Sequence, residues 1–151
     1  DSLGTSYLDD AQWYVNRKEK FSFATKGGHN YEPHNHNDLG NFLIVVGTDM
    51  PLCDLGAPEY IRYKHYDDRM VNLNFSSKGH SVPIINGQYQ CLGKEYKSEV
   101  KKAEENVFSL DLQGAYENGI INKINRTYTI NDDGVLLKDI LIYKIYKIIY
   151  Y

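Results

Sequence analysis

The chain has 151 residues, 42% hydrophobic and 25% charged, which suits one soluble domain with its own core. Its net charge of −3 speaks against a nucleic-acid binder, which carries a basic excess, but leaves room for a local patch that meets a polyanionic sugar. No apolar run reaches the roughly 18 residues of a membrane helix. The opening Asp1-Ser2-Leu3-Gly4 is not a basic-then-apolar leader, so any export signal is expected upstream.

Helical periodicity is scarce, and short apolar or alternating runs between turn residues predict an all-β fold. Tyr7 to Val15 and Phe21 to Thr25 read as an opening strand pair, joined by 16–20. Lys26 to Asp38 is a polar loop holding Gly27-Gly28 and three of the five histidines. Phe42 to Val46 reads as a buried strand, Gly47-Thr48-Asp49 as a turn, and Met50 to Asp54 as the returning strand. Ala57 to Asn72 reads as a long loop or irregular strand. His80 to Ile85, Lys94 to Lys102, Val107 to Leu112, Asn125 to Ile130 and Val135 to Ile142 read as further strands, with a short helix over 97–106 as an alternative. Asn131-Asp132-Asp133-Gly134 is a hairpin turn. About nine or ten strands in one domain spanning 1–151 imply a two-sheet antiparallel β-sandwich. The fourteen tyrosines suit strands and, secondarily, surfaces that stack on sugars.

The end of the chain is compositionally biased: eleven of the last twelve residues are Ile, Tyr or Lys. From about 140 it reads either as a final amphipathic strand or as a truncated or altered end. Of the two cysteines, Cys53 lies in an apolar stretch and reads as a small buried hydrophobe. Nothing in the spacing of Cys53 and Cys91 demands a disulfide.

Potential ligands concentrate in Gly27-Gly28-His29-Asn30-Tyr31-Glu32-Pro33-His34-Asn35-His36-Asn37-Asp38, just before an apolar strand. Zinc takes three or four N, O or S ligands, and imidazole with carboxylate serves. In an extended segment His34 and His36 face one side, so they share a metal or divide the work, one on metal and one on substrate. If the following turn centres on Thr48, Val46 pairs with Met50 and Phe42 with Asp54, which carries Asp54 back towards His36. His80 stands at the entrance of another expected strand. Two histidines and an aspartate would leave one coordination position open. Against this, loops rich in His, Asn and Gly also serve as plain turn chemistry, and His29 and His65 read as solvated loop residues.

Phe23-Ala24-Thr25-Lys26-Gly27-Gly28-His29-Asn30, followed by Glu32-Pro33-His34-Asn35-His36-Asn37-Asp38-Leu39-Gly40-Asn41-Phe42, resembles the hallmark of heparinase II/III-like proteins. The likeness continues through Pro51-Leu52-Cys53-Asp54-Leu55-Gly56 and Gly79-His80-Ser81-Val82-Pro83-Ile84-Ile85-Asn86-Gly87-Gln88. Such proteins join an α/α-toroid to a C-terminal β-sandwich and include lyases acting on heparin, heparan sulfate or alginate. The resemblance implies zinc at His36, Asp54 and His80, and His34 as a catalytic histidine facing the cleft. It also implies an acidic polysaccharide substrate and an exported parent protein, periplasmic, secreted or at the cell surface. The other catalytic groups of the family sit on the toroid, which this chain lacks, so the chain alone is expected to be inactive. Two alternatives stand beside the lyase domain. One is a non-catalytic carbohydrate-binding or structural sandwich with a stabilising metal. The other is a metal-dependent hydrolase, which would need more ligands and a parallel barrel with helices.

Overall fold

The computed structural model describes residues 2–57, 71–117, 119 and 121–143. Among these the fold is all-β, with eleven strands, two short 3-10 turns and no α-helix. The strands are β1 (Gly4–Leu8), β2 (Trp13–Arg17), β3 (Ser22–Lys26), β4 (His29–Asn30), β5 (Phe42–Val46) and β6 (Asp49–Leu52). They continue with β7 (Gly93–Lys97), β8 (Glu99–Glu104), β9 (Val107–Asp111), β10 (Ile121–Asn131) and β11 (Gly134–Tyr143). One sheet has the order β1-β2-β3-β5-β6, a second β11-β10-β9-β8, and β4 and β7 form a two-stranded third. Every pairing between them is antiparallel.

The two large sheets face each other through aromatic side chains at alternating positions, as the two-residue period of strands requires. Tyr14 on β2 stacks on Phe108 of β9 with centroids 4.9 Å apart, and Phe23 on β3 meets Tyr128 of β10 at 5.0 Å. Phe42 on β5 reaches the same Tyr128 at 5.5 Å. Tyr14, Phe23, Phe108, Leu110, Ile124 and Tyr128 are fully buried. The tyrosine hydroxyls in this core are hydrogen-bonded: Tyr14 donates to the carbonyls of Glu104 and Glu105, Tyr128 to that of Gly40, and Tyr116 to that of Pro83. Buried hydroxyls without partners would cost stability.

The sandwich matches the expected class, and several boundaries differ. The run Tyr7–Val15 is not one strand: it folds back at 9–12, where Gln12 takes φ +50°, so the opening is a three-stranded meander. The run Lys94–Lys102 breaks at buried Ser98, whose N–H donates to the Gly28 carbonyl. The chain thus passes from the small sheet into the four-stranded one, and the short helix over 97–106 does not form. His80–Ile85 is not a strand: Pro83 lacks an N–H for a ladder, and Ile85 makes only an isolated bridge to Gln88 around Asn86-Gly87. The hairpin at Asp132-Asp133 forms as expected, with Asn131 opposite Gly134. Cys53 is exposed rather than buried, because β6 lies at the open edge of its sheet, and both cysteines are free thiols. The loop Ala57–Asn72 falls almost wholly outside the described residues. So does the biased tail beyond Tyr143; up to that residue it continues as a regular strand.

Candidate metal centre and the histidine loop

The histidine-rich loop leaves β3 and returns as β5, its immediate neighbour in the sheet. Both ends are pinned. Gly27 passes so close to Gln12 that a Cβ would lie 2.4 Å from its Oε1, and that oxygen accepts the Gly28 N–H at 2.8 Å. Buried Lys26 places its ammonium between the carboxylates of Glu32, at 3.6 Å, and Asp38, at 3.4 Å. Further along, Leu39 plugs the core, and the Gln90 side chain bonds both its N–H and its carbonyl. The Asn37 N–H donates to the Phe75 carbonyl at 2.8 Å, which ties the loop to the segment that leads to His80.

Three segments then converge. One ligand atom each of His36, Asp54 and His80 can be chosen so that all lie within 4.8 Å of one another. Asp54 lies two residues beyond β6, whose register Ile44↔Leu52 is the expected one. The turn itself is one residue tighter than expected, with Val46 opposite Asp49 rather than Met50, and a bulge between the two pairs absorbs the difference. His80 is delivered by a 3-10 turn, Ser77–Gly79. Glycine is required at 79, because a Cβ there would sit 2.2 Å from the Leu73 carbonyl oxygen.

Within the cluster, His80 Nδ1 lies 2.7 Å from Asp54 Oδ2, and His80 Nε2 lies 3.0 Å from the Asn74 carbonyl oxygen. The His80 ring has no solvent exposure, whereas the Asp54 side chain keeps 25%. Asp54 also accepts the Gly56 N–H at 2.8 Å and the Asn41 amide at 2.9 Å. The His36 ring stands 5.2 Å from that of His80 and packs edge-on against Phe75.

These surroundings set the charges. Burial, aided by His80 and Lys26, holds His36 below the ordinary histidine value against the pull of Asp38 and Asp54. Burial is also the largest influence on His80 and acts downward. The bonds to Asp54 and Asn74 and the charges of Asp38 and Asp54 outweigh it and raise that pKa. For Asp54 burial pushes upward, but the bonds from His80 and Gly56 and the two histidines bring it below the usual value.

Both ring nitrogens of His80 therefore face acceptor oxygens. A neutral imidazole has one N–H and satisfies only one of them. With Nε2–H donating to Asn74, a positive species, a proton or a metal ion, is called for at Nδ1. A metal-bound histidine whose other N–H is held by a backbone carbonyl is a common arrangement. The donor set, two imidazoles and one carboxylate, suits zinc.

His34 stands apart. It has φ +60°, in the left-handed region, so the segment is not extended there and the expected common side for His34 and His36 does not arise. Its side chain is exposed while His36 is half-buried. His29, expected in a solvated loop, lies in β4, and its Nδ1 accepts the Tyr31 N–H at 3.2 Å. His65 lies outside the described residues.

The supporting residues were not read from the sequence. Arg126, 4% exposed, forms a two-pronged pair with Asp139 at 2.8 and 2.7 Å and also donates to the carbonyls of Gly40 and Ser81. It thus grips the residue before Asn41 and the residue after His80. Asn41 completes the link by accepting the Ser81 N–H while donating to Asp54. A signal existed: Ile124, Arg126, Tyr128 and Ile130 share the inward face of β10, and one arginine in that apolar series is conspicuous.

An antiparallel β-sandwich with a His–Asp–His cluster at one rim defines a class of β-domain with a candidate metal centre. The chain matches the family described as Heparinase II/III-like, C-terminal, over residues 2–142, and it belongs to that family. No curated protein matches it in sequence.

Proposed function

We propose that this domain forms one side of the active site of a polysaccharide lyase, with zinc at His36, Asp54 and His80 and with His34 in the cleft. The observation that carries this is the convergence of three potential ligands from three separate segments, directly beside the loop bearing His34. When bound, zinc would add a fixed positive charge that braces the loop. His36 and His80 present the nitrogens, Asp54 the carboxylate, and Asn74, Gly56 and Asn41 orient them.

The chemistry is β-elimination at a uronic acid. A base removes the C5 proton, the C4=C5 double bond forms, the C4–O4 bond breaks, and the departing O4 takes a proton. His34, an exposed imidazole on the loop, serves as the proton-transfer group, a role worth about 10²–10⁴-fold. The facing groups, including whatever neutralises the substrate carboxylate, are assigned to an α/α-toroid outside residues 1–151. We place the parent protein in an exported compartment, where such polymers are met.

The test joins this domain to a family toroid and follows the ultraviolet absorbance of the unsaturated uronate. The joined protein should turn over heparan sulfate or alginate, the domain alone should not, and His34→Ala should abolish most activity. A folded, active, joined protein indifferent to His34→Ala would move the reading to a non-catalytic sandwich whose metal only stabilises it. The burial of the cluster favours that second reading over the first only in this outcome.

A further inference from the structure

We propose that Gln90 is a positioning residue of the metal centre, one that fixes the spacing of His36 and His80 from outside the ligand set. This role rests on the zinc reading and adds to it a residue that holds the shape of the site.

The two histidines come from separate segments, and nothing in the covalent chain sets the gap between their rings. Gln90 is bonded to both segments. Asn86-Gly87 reverses the chain after His80, in a tight turn with φ +50° and +76° that is closed by Ile85 and Gln88. The chain therefore runs back past Ser77, where Gln90 is only 4% exposed. There the Gln90 N–H donates to Ser77 Oγ at 3.1 Å, and that hydroxyl donates onward to the Asn37 carbonyl at 2.7 Å. The Asn37 side-chain amide in turn donates to the Gln90 carbonyl at 3.0 Å. This closed ring of bonds joins the first residue of the 3-10 turn that delivers His80 to the residue next to His36.

The Gln90 side chain secures the loop further along. Its Oε1 accepts the Leu39 N–H at 2.9 Å, and its Nε2 donates to the Leu39 carbonyl at 2.8 Å. A carboxamide sets a donor and an acceptor in one plane, as a peptide unit does. Gln90 thus serves Leu39, which lies outside every strand, as a strand partner would. Asn30 donates to the carbonyl of the next residue, Cys91, at 2.9 Å. Asn30, Asn37, Leu39, Ser77 and Gln90 are all buried, so water does not readily replace a lost partner and the loop must shift instead. Zinc bonds imidazole at about 2.0–2.1 Å, so a small displacement of one histidine is felt as lost affinity.

The zinc affinity of the full chain is measured by chelator competition, and cobalt(II) is bound in its place because its visible absorption reports ligand geometry. Gln90→Met keeps the length of the side chain but cannot satisfy Leu39. It should weaken zinc binding by about tenfold or more, the scale of lost outer contacts at metal sites, and should alter the cobalt bands. The control is Asn16→Leu, which removes an equally buried side chain bonded to the Glu105 carbonyl, away from the loop. It should lower the melting temperature comparably, yet keep zinc affinity within about twofold and leave the cobalt bands as they were. If Gln90→Met does not fold, Ser77→Ala, which opens the ring of bonds at its hydroxyl, decides by the same two readouts, with an expected loss of at least about threefold. Unchanged affinity and bands in the deciding variant, or an equal loss in Asn16→Leu, overturns the positioning role alone. A wild-type chain that takes up no zinc overturns the metal reading and this role with it.

Discussion

His80 and Asp54, 26 residues apart in sequence, meet with Nδ1 and Oδ2 at 2.7 Å, while the opposite nitrogen of the same ring points at the Asn74 carbonyl. The ring is thus held between two acceptors, and its Nδ1 position is built for either a proton or a metal ion. That relationship organises the expected behaviour of the whole rim.

Metal content follows first. Purified protein should carry about one zinc per chain, measured by elemental analysis, and His36→Ala, Asp54→Ala or His80→Ala should each reduce it. Chelation should lower the melting temperature, because metal held only by the native state adds to folding free energy. Full occupancy in a His36→Ala, Asp54→Ala double variant would sink the assignment.

The effect of metal should depend on pH with a definite sign. In the metal-free chain the raised His80 pKa contributes stability that is present below the ordinary value of about 6.5 and is lost as pH rises through the folded value. The lowered Asp54 pKa contributes stability present above about 3.9 and lost as pH falls through its folded value. The pair therefore supports the metal-free fold in mildly acidic solution. Zinc competes with the Nδ1 proton, so the melting-temperature gain on adding zinc should be large near pH 8 and small near pH 5. A gain that is flat across this range would show that no histidine proton is displaced.

Arg126 should matter more than its distance from any ligand suggests. Asp139→Asn breaks a partly buried pair, and Arg126→Met in addition leaves the Ser81 carbonyl without its guanidinium donor; each should cost about 3–5 kcal/mol in denaturant unfolding. Arg126→Lys keeps the charge but not the fork, and it should still weaken zinc binding, read by chelator competition. Unaltered zinc affinity in a folded Arg126→Lys protein would confine Arg126 to the core.

The core tyrosines offer a spectroscopic test. Burial, chiefly, pushes both Tyr116 and Tyr128 up to about 12. An absorbance titration should leave two tyrosines un-ionised until the protein unfolds in alkali. Because their folded values lie above the unfolded one, they stabilise the fold below about pH 10, and that stability is lost as pH rises further. In the same region Phe108→Ala, which removes the ring that Tyr14 stacks on, should cost about 3–5 kcal/mol.

Much of this was legible in the chain. The continuous apolar run Phe42–Val46 and the turn residues around Asp132-Asp133 marked a strand and a hairpin, because apolar runs and turn chemistry are local properties; that strand proved half-buried rather than buried. The hairpin register also brought Asp54 towards the histidine loop, since a turn position dictates which residues face each other two by two. What stayed hidden depends on contacts distant in sequence. The left-handed φ of His34 arises in a loop held between Gln12, Lys26 and Gln90, and no local pattern announces it. Ser98 breaks an otherwise continuous strand because its N–H is taken by Gly28, 70 residues earlier. The charge state of His80 is set by Asp54 and by the Asn74 carbonyl, a backbone atom whose identity no side chain encodes. Composition and periodicity determined the sandwich and named the ligand candidates; only tertiary packing decided which nitrogen of His80 is offered, because that is a matter of which acceptors the fold sets against its two ends.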